Sequence, residues 1–164
     1  MSSTVVPCLR YQDAPAAIDW LCHCLGFEQR LVVPNKSGSI AHAELVLGGG
    51  MVMLGSQIDD AHGQVLTTPA KVGGLQTQTS WVRVQDADDV YARVVNSGAD
   101  IVEAIDDAPY GGRGFTCRDP EGHVWHVGTY DPWKSQVSNE TKASDSTPEL
   151  LKLLKAKRHC RYPA

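Results

Sequence analysis

The chain has 164 residues, of which 21% are charged, and a formal net charge of −4. Because nucleic-acid-binding domains usually carry a basic patch, this charge argues against a DNA or RNA partner. No apolar run approaches the roughly 20 residues that span a bilayer, and the first residues lack the features of a secretory signal. We therefore expect a soluble cytoplasmic protein with no membrane partner.

A near-repeat is the main internal feature of the sequence. Residues 8–14, CLRYQDA, reappear as residues 81–87, WVRVQDA, so that Arg10 corresponds to Arg83 at an offset of 83 − 10 = 73 residues. A fixed offset of this kind indicates two copies of one structural unit. A single unit of about 65 residues would be marginal alone, so we expect the two copies to share one domain.

Each copy predicts the same order of elements, namely a strand, a helix and then three strands. Asp13 and Asp86 can accept N–H groups at the helix starts, since a carboxylate is a good N-cap. Gly26 and Gly98 can adopt the left-handed conformation of a helix end. The strand-like segments that follow the helices are FEQRLVV, IAHAELVL and MVMLG in the first copy, and IVEAI, GFTCR and HVWHVGTY in the second.

The predicted domain covers residues 1–133, with unit one at 5–57 and unit two at 78–131. Residues 134–147 are polar and lack periodicity, which predicts a flexible linker. Residues 148–164 read as a basic amphipathic helix that opens with proline. Such a helix either contacts a membrane surface or a partner, or packs back on its own domain.

Strand alternation sorts the side chains of each predicted sheet into two faces, of which the apolar face should lie against the helix. The opposite faces then carry a mixed polar and aromatic set, namely Arg10, His42, Glu44, Trp81, Arg83, Thr116 and His126. An aromatic wall with a few polar groups is typical of a small-molecule site. A solvated sheet face has a similar composition, so this alternative stays open.

Tyr110 and Arg113 lie just before the predicted seventh strand and could reach the rim of such a site as ligand-binding residues. The alternative for Tyr110 is a structural role in an irregular turn. The alternative for Arg113 is an ion pair with Asp119 or Glu121.

The segment YGGRGFTCRDPEGHVWHVGTYDPW, residues 110–133, carries a family resemblance. Together with the two βαβββ units it resembles the vicinal oxygen chelate superfamily, which includes glyoxalase I, fosfomycin and bleomycin resistance proteins and extradiol dioxygenases. The strands VPCL and HAEL and the run GGGMVML are most similar to the PhnB-like branch. The resemblance implies an α+β fold in which two βαβββ units form a curved mixed sheet around a cleft, within one chain or across a homodimer.

The resemblance also implies where metal ligands would lie in members that hold a metal. Carried over by position, those places hold Val6, Leu54, Thr79 and His126. Only His126 is a good transition-metal ligand, whereas a catalytic site needs about three protein ligands. We therefore expect no catalytic metal cofactor, although an alternative site of His42, Glu44 and His126 would still allow a divalent metal.

Four functions follow as competing hypotheses. The first is a metal-free cleft that binds a small organic molecule, as in the resistance proteins that sequester drugs. The second is a metal-free isomerase, lyase or cyclase in which His42, Glu44 and His126 move protons. The third is a glyoxalase-like lyase with a non-standard metal site. The fourth is a dimeric interaction module whose basic C-terminal helix recruits a partner.

Overall fold

The structure is a computed structural model that describes residues 3–61 and 63–134. The predicted linker beyond Lys134 and the predicted helix at 148–164 lie outside the described residues. The described residues up to Asp131 belong to one compact domain. None of the helices in the described ranges is long and apolar enough to cross a membrane.

Unit one forms a four-stranded mixed sheet with one helix. Its elements are β1 Cys8–Tyr11, α1 Ala14–Trp20, β2 Glu28–Pro34, β3 Ile40–Leu47 and β4 Gly50–Ser56. A π-helical turn, Leu21–Leu25, extends α1. The strand order is β1-β4-β3-β2, with β1 parallel to β4 and the other pairs antiparallel.

Unit two repeats this arrangement after a connection that contains a short 3-10 turn, Pro69–Val72. Its elements are β5 Ser80–Arg83, α2 Ala87–Asn96, β6 Ile101–Asp107, β7 Arg113–Arg118 and β8 Val124–Gly128. The strand order β5-β8-β7-β6 matches that of unit one position for position. The two βαβββ units predicted from the repeat are therefore confirmed, as two hydrogen-bonded sheets.

The predicted helix boundaries are also confirmed. Asp13 accepts a hydrogen bond from Ala16 N over 3.1 Å, and Asp86 accepts one from Asp89 N over 3.0 Å. Gly26 ends the π-helical turn with a φ of 85°, a conformation that an L side chain would strain. The local chemistry of each copy thus sets where its helix begins and ends.

The helix-covered faces of both sheets contribute to one hydrophobic core. Tyr11, Ala43 and Leu45 from unit one and Trp125 and Val127 from unit two all belong to the same buried cluster. The other face of each sheet points away from this core. These outer faces, which we call open faces, carry the polar set predicted from strand alternation.

The turn between β7 and β8 joins the two units through carboxylates. Asp119 is buried, and its Oδ2 accepts hydrogen bonds from Tyr11 Oη over 2.7 Å and from Trp125 Nε1 over 3.1 Å. Glu121 accepts two backbone hydrogen bonds, from Gln12 N over 2.7 Å and from Asp13 N over 2.6 Å. The carboxylates of the DPEGH segment therefore connect unit two to the start of α1.

Both sheets contain a bulge at the same place. In unit one, Gln29 pairs with Leu45 but Leu31 pairs with Glu44, so β2 has one extra residue. In unit two, Ile101 pairs with Cys117 whereas Glu103 pairs with Thr116. A bulge changes which face the following side chains occupy. This shift decides the polar composition of the site described next.

Candidate functional site

The open face of unit two holds a pocket of about 120 Å³. Its lining combines aromatic, charged and hydroxyl groups, including Trp81, Glu103, Tyr110, Arg113, Thr116 and His126. Five of these six residues were predicted from the sequence as site residues. The structure therefore brings these five predicted residues of unit two together around one cavity.

Trp81 forms an aromatic wall of this pocket and is 42% exposed. Its Nε1 donates a hydrogen bond to the carbonyl oxygen of Tyr130 over 3.3 Å. Its ring lies over Gly128, where a Cβ would come within 2.8 Å of Trp81 Cη2. Glycine at this position of β8 thus makes room for the indole on the sheet surface.

The polar end of the pocket is a chain of three side chains from three strands. Thr116 Oγ1 donates a hydrogen bond to Glu103 Oε2 over 2.6 Å. The same oxygen lies 2.9 Å from His126 Nδ1. His126 pairs directly with Trp81 between β8 and β5, so the imidazole lies beside the indole. We call these three side chains the Glu103 relay.

Tyr110 and Arg113 lie at the rim. Tyr110 is 59% exposed and packs edge-on against Tyr130, with ring centroids 5.2 Å apart. Arg113 pairs with Asp107 over 3.0 Å and with Asp88 over 3.1 Å. Hydrogen bonds that the Arg113 guanidinium donates to Asp107 and Asp88 raise its pKa. The expected alternative pairing of Arg113 with Asp119 or Glu121 is therefore wrong, because the carboxylates of β6 and α2 hold it.

The open face of unit one carries a different polar cluster. Glu44 accepts a hydrogen bond from Arg30 Nη1 over 3.0 Å and lies 3.3 Å from His42 Nε2. Arg10 donates to the carbonyl oxygen of Ser56 over 3.3 Å, while its buried Nε has no hydrogen-bond partner among the described residues. The predicted site residues of unit one thus lie on a face separate from the pocket of unit two.

Arg83, the repeat partner of Arg10, differs from it in its environment. Its guanidinium pairs with Asp131, so its charge is already balanced. Arg83 is not among the residues that line the pocket. Of the three predicted ligand-binding arginines, Arg10, Arg83 and Arg113, only Arg10 lacks a carboxylate partner in the part of the chain that the structure describes.

The alternative metal site of His42, Glu44 and His126 does not form within the described residues. No group of three or more histidine, cysteine, aspartate or glutamate side chains there could hold a metal ion. His42 and Glu44 are neighbours on unit one, whereas His126 lies in the pocket of unit two. Within one chain, the described residues therefore offer no set of three such ligands around a single ion.

The register also corrects one position that the resemblance had implied. Leu54 is buried in the core, and the residue of β4 that matches His126 in strand pairing is Met53. Glu44 also pairs with Met53. A thioether in this position is a poor ligand for a hard divalent cation.

Glu103 is a pocket residue that the sequence analysis missed. Strict alternation places Glu103 on the same face as Ile101 and Ile105, which pack against the core. The bulge between Ile101 and Glu103 turns the carboxylate to the open face instead. The one signal in the sequence was an acidic residue at a position where alternation called for an apolar one.

Two four-stranded mixed sheets around one core, with a polar and aromatic pocket on an open face, define the class of paired βαβββ folds. Residues 4–127 match the model of the Glyoxalase/Bleomycin resistance protein/Dioxygenase superfamily. The chain belongs to this superfamily, and the expected vicinal oxygen chelate fold is confirmed.

Similar proteins support this assignment. The uncharacterized protein Mb0911c of Mycobacterium bovis is 34% identical over 141 residues, which cover 86% of this chain and 91% of the relative. The crystal structure of TioX from Micromonospora sp. ML1 is 36% identical with a TM-score of 0.60, and the match covers 77% of this chain and 94% of TioX.

A more distant structure shows the shared fold alone. The fosfomycin resistance protein FosX from Listeria monocytogenes, solved with Mn(II) and sulfate, is 12% identical with a TM-score of 0.55. The match covers 80% of this chain and 95% of FosX.

Proposed function

We propose that this protein binds a small organic molecule in the pocket of unit two, without a catalytic metal. The observation that carries the proposal is the pocket itself, in which the exposed indole of Trp81 lies beside the Glu103 relay. A largely apolar wall with a few convergent polar groups is the usual composition of a small-molecule site. Indole and phenol rings favour planar aromatic ligands, since they can stack on them.

The site is best completed by a second copy of the chain. Arg10 and His42 belong to the open face of unit one, and neither lines the pocket of unit two within one chain. A homodimer that sets unit one of one copy against unit two of the other would cover the exposed Trp81 and Leu31 together. It would also bring the cationic Arg10 to a ligand held by Trp81 and His126.

Sequestration of a ligand, as in the resistance branch of the family, is the simplest activity for such a site. A metal-free isomerase, lyase or cyclase is the second candidate, favoured by the hydrogen bond that orients His126. A base with a defined tautomer is what proton transfer requires. Turnover that survives in both His42→Ala and His126→Ala would exclude that candidate.

Substitution of Trp81 tests the binding proposal. With indole as the probe, Trp81→Ala should weaken binding about tenfold or more, because stacking and buried area are both lost. Trp133→Ala is the matched control, since Trp133 is 93% exposed and is not among the residues that line the pocket. Equal affinity in both variants, measured by calorimetry on the full chain, would contradict the proposal.

Native mass spectrometry of the untagged chain tests the assembly and the cofactor together. A dimer without metal, particularly one that carries an organic adduct, is the expected result. A monomer would contradict the shared cleft. Stoichiometric metal would favour a glyoxalase-like lyase with ligands drawn from two copies.

Three finer assignments remain proposals. Membership of the PhnB-like branch rests on the segments quoted above, and the cytoplasmic location rests on the composition. The third proposal is that residues 148–164 recruit a partner. Deleting residues 134–164 tests it, since a pocket protein should keep its ligand whereas a recruitment module should lose its partner.

A further inference from the structure

The order of donors and acceptors in the Glu103 relay defines the tautomer of His126. An ionised carboxylate can only accept hydrogen bonds, and a hydroxyl has a single proton to donate. The proton of Thr116 therefore points to Glu103, at 2.6 Å. Its oxygen must then accept from His126, so the imidazole carries its proton on Nδ1, 2.9 Å away.

This tautomer leaves the other ring nitrogen of His126 as an acceptor. In a neutral imidazole with the proton on Nδ1, Nε2 carries a lone pair. Nε2 has no hydrogen-bond partner among the described residues, and the His126 ring lines the pocket beside Trp81. The polar end of the pocket thus presents a hydrogen-bond acceptor next to an aromatic wall.

We propose that Glu103 is a positioning residue that, through Thr116, keeps His126 Nε2 an acceptor, and that the pocket therefore selects planar ligands that carry an N–H or O–H donor. This inference rests on the proposed binding function and names the class of ligand. A ligand of the same shape without a donor leaves Nε2 desolvated and unpaired, which is unfavourable. The carboxylate of Glu103 also disfavours an anionic group at this end of the pocket.

Unit one supplies a comparison within the same chain. There Glu44 occupies the place of Thr116, and Leu31 occupies the place of Glu103. Glu44 is shared between Arg30 and His42, with no hydroxyl between the carboxylate and the imidazole. The relay is therefore specific to unit two, on the face where Trp81 lies.

Nitrogen-15 NMR of histidine side chains in the full chain tests the relay without any ligand. At about pH 8, His126 should show a proton on Nδ1 and none on Nε2. His123 is an internal reference of the opposite kind, because its Nε2 donates to the carbonyl oxygen of Arg10 over 2.9 Å. A His126 signal with the proton on Nε2 would overturn the inference.

The variant Glu103→Gln extends this measurement. A glutamine amide can donate to Thr116 as well as accept from it, so the hydroxyl no longer has one defined direction. His126 should then lose its single tautomer, while His123 keeps its own. Glu28→Gln is the matched control, since it makes the same chemical change on β2 of unit one. An unchanged His126 tautomer in Glu103→Gln would overturn the positioning role.

Two isomeric probes test the ligand class. 3-Methylindole and 1-methylindole have the same size, but only the first has an N–H donor. The wild-type protein should bind 3-methylindole about three- to tenfold more tightly, the ratio that one net hydrogen bond supplies. Glu103→Gln should bring this ratio close to one, and Glu28→Gln should retain it.

The outcomes separate this inference from the binding proposal. Binding of both isomers with equal affinity would leave the pocket in place and overturn the selection for donors. If neither isomer binds, both the proposal that the pocket binds planar aromatic ligands and the selection for donors are contradicted. The NMR measurement of the His126 tautomer would still test the role of Glu103.

Discussion

The hydroxyl of Tyr11 lies in the core and donates a hydrogen bond to Asp119. Burial raises the pKa of this hydroxyl well above its ordinary value, and the charge of Asp119 raises it further. The folded chain therefore keeps this proton at a pH where the unfolded chain has lost it. The resulting stability is complete below about pH 10 and is lost as the pH rises above it.

Tyr11→Phe should remove this dependence. Above about pH 10, the free energy of unfolding of the wild type should fall more steeply than that of the variant, by up to about 1.4 kcal/mol per pH unit. Urea unfolding between about pH 8 and pH 11 measures both slopes. Tyr91→Phe serves as the control, because it removes a tyrosine hydroxyl that is not bonded to Asp119. Parallel slopes for the wild type and Tyr11→Phe would contradict the assignment.

At the scale of elements, glycine decides where large side chains can lie on the open faces. Gly128 of β8 and Gly55 of β4 occupy matching positions in the two sheets. A Cβ would meet Trp81 Cη2 at 2.8 Å in the first case and Arg10 Nη1 at 2.7 Å in the second. Each open face therefore has a groove beside its first strand that holds one long side chain.

Gly128→Ala should displace Trp81 and weaken indole binding. The new methyl group would also lie 2.9 Å from the carbonyl oxygen of Arg113, so we expect a loss of about 1–3 kcal/mol in stability. Gly50→Ala is the control, because its Cβ would lie 3.4 Å from the nearest atom outside its chain neighbours. If the indole ring is the main obstacle, Trp81→Ala in the Gly128→Ala background should restore stability in urea unfolding.

At the scale of the molecule, the two units depend on each other through Asp119. Its Oδ1 accepts from the backbone N–H groups of Glu121 and His123, and its Oδ2 accepts from Tyr11 and Trp125. All four donors are satisfied by one buried carboxylate. A buried donor that loses its acceptor costs about 1–3 kcal/mol, so this residue should have a large effect on the whole fold.

Asp119→Asn places an amide N–H₂ against two of these donors and should lower the free energy of unfolding by about 3 kcal/mol. Asp100→Asn is the matched control. Asp100 forms a largely exposed ion pair with Arg118, and such pairs contribute less than about 1 kcal/mol. Similar losses for the two variants in urea unfolding would show that Asp119 does not link the units.

Local chemistry was sufficient to predict the elements of each unit. The structure agrees with the predictions that depend on near neighbours in the chain. These are the caps at Asp13 and Asp86, the helix end at Gly26 and the alternation in β3. The repeat predicted two similar units in one domain, because units of marginal size must share a core, and the fold class followed from the family resemblance carried by residues 110–133.

The composition of the site depended on contacts that are distant in sequence. The bulge in β6 turns Glu103 to the open face, and the pairing of β5 with β8 sets Trp81 beside His126. The structure places His42 and Glu44 on unit one and His126 in the pocket of unit two, although all three were predicted on the same kind of face. A two-residue period predicts faces only while the register is unbroken, and register and unit packing are properties of the folded chain.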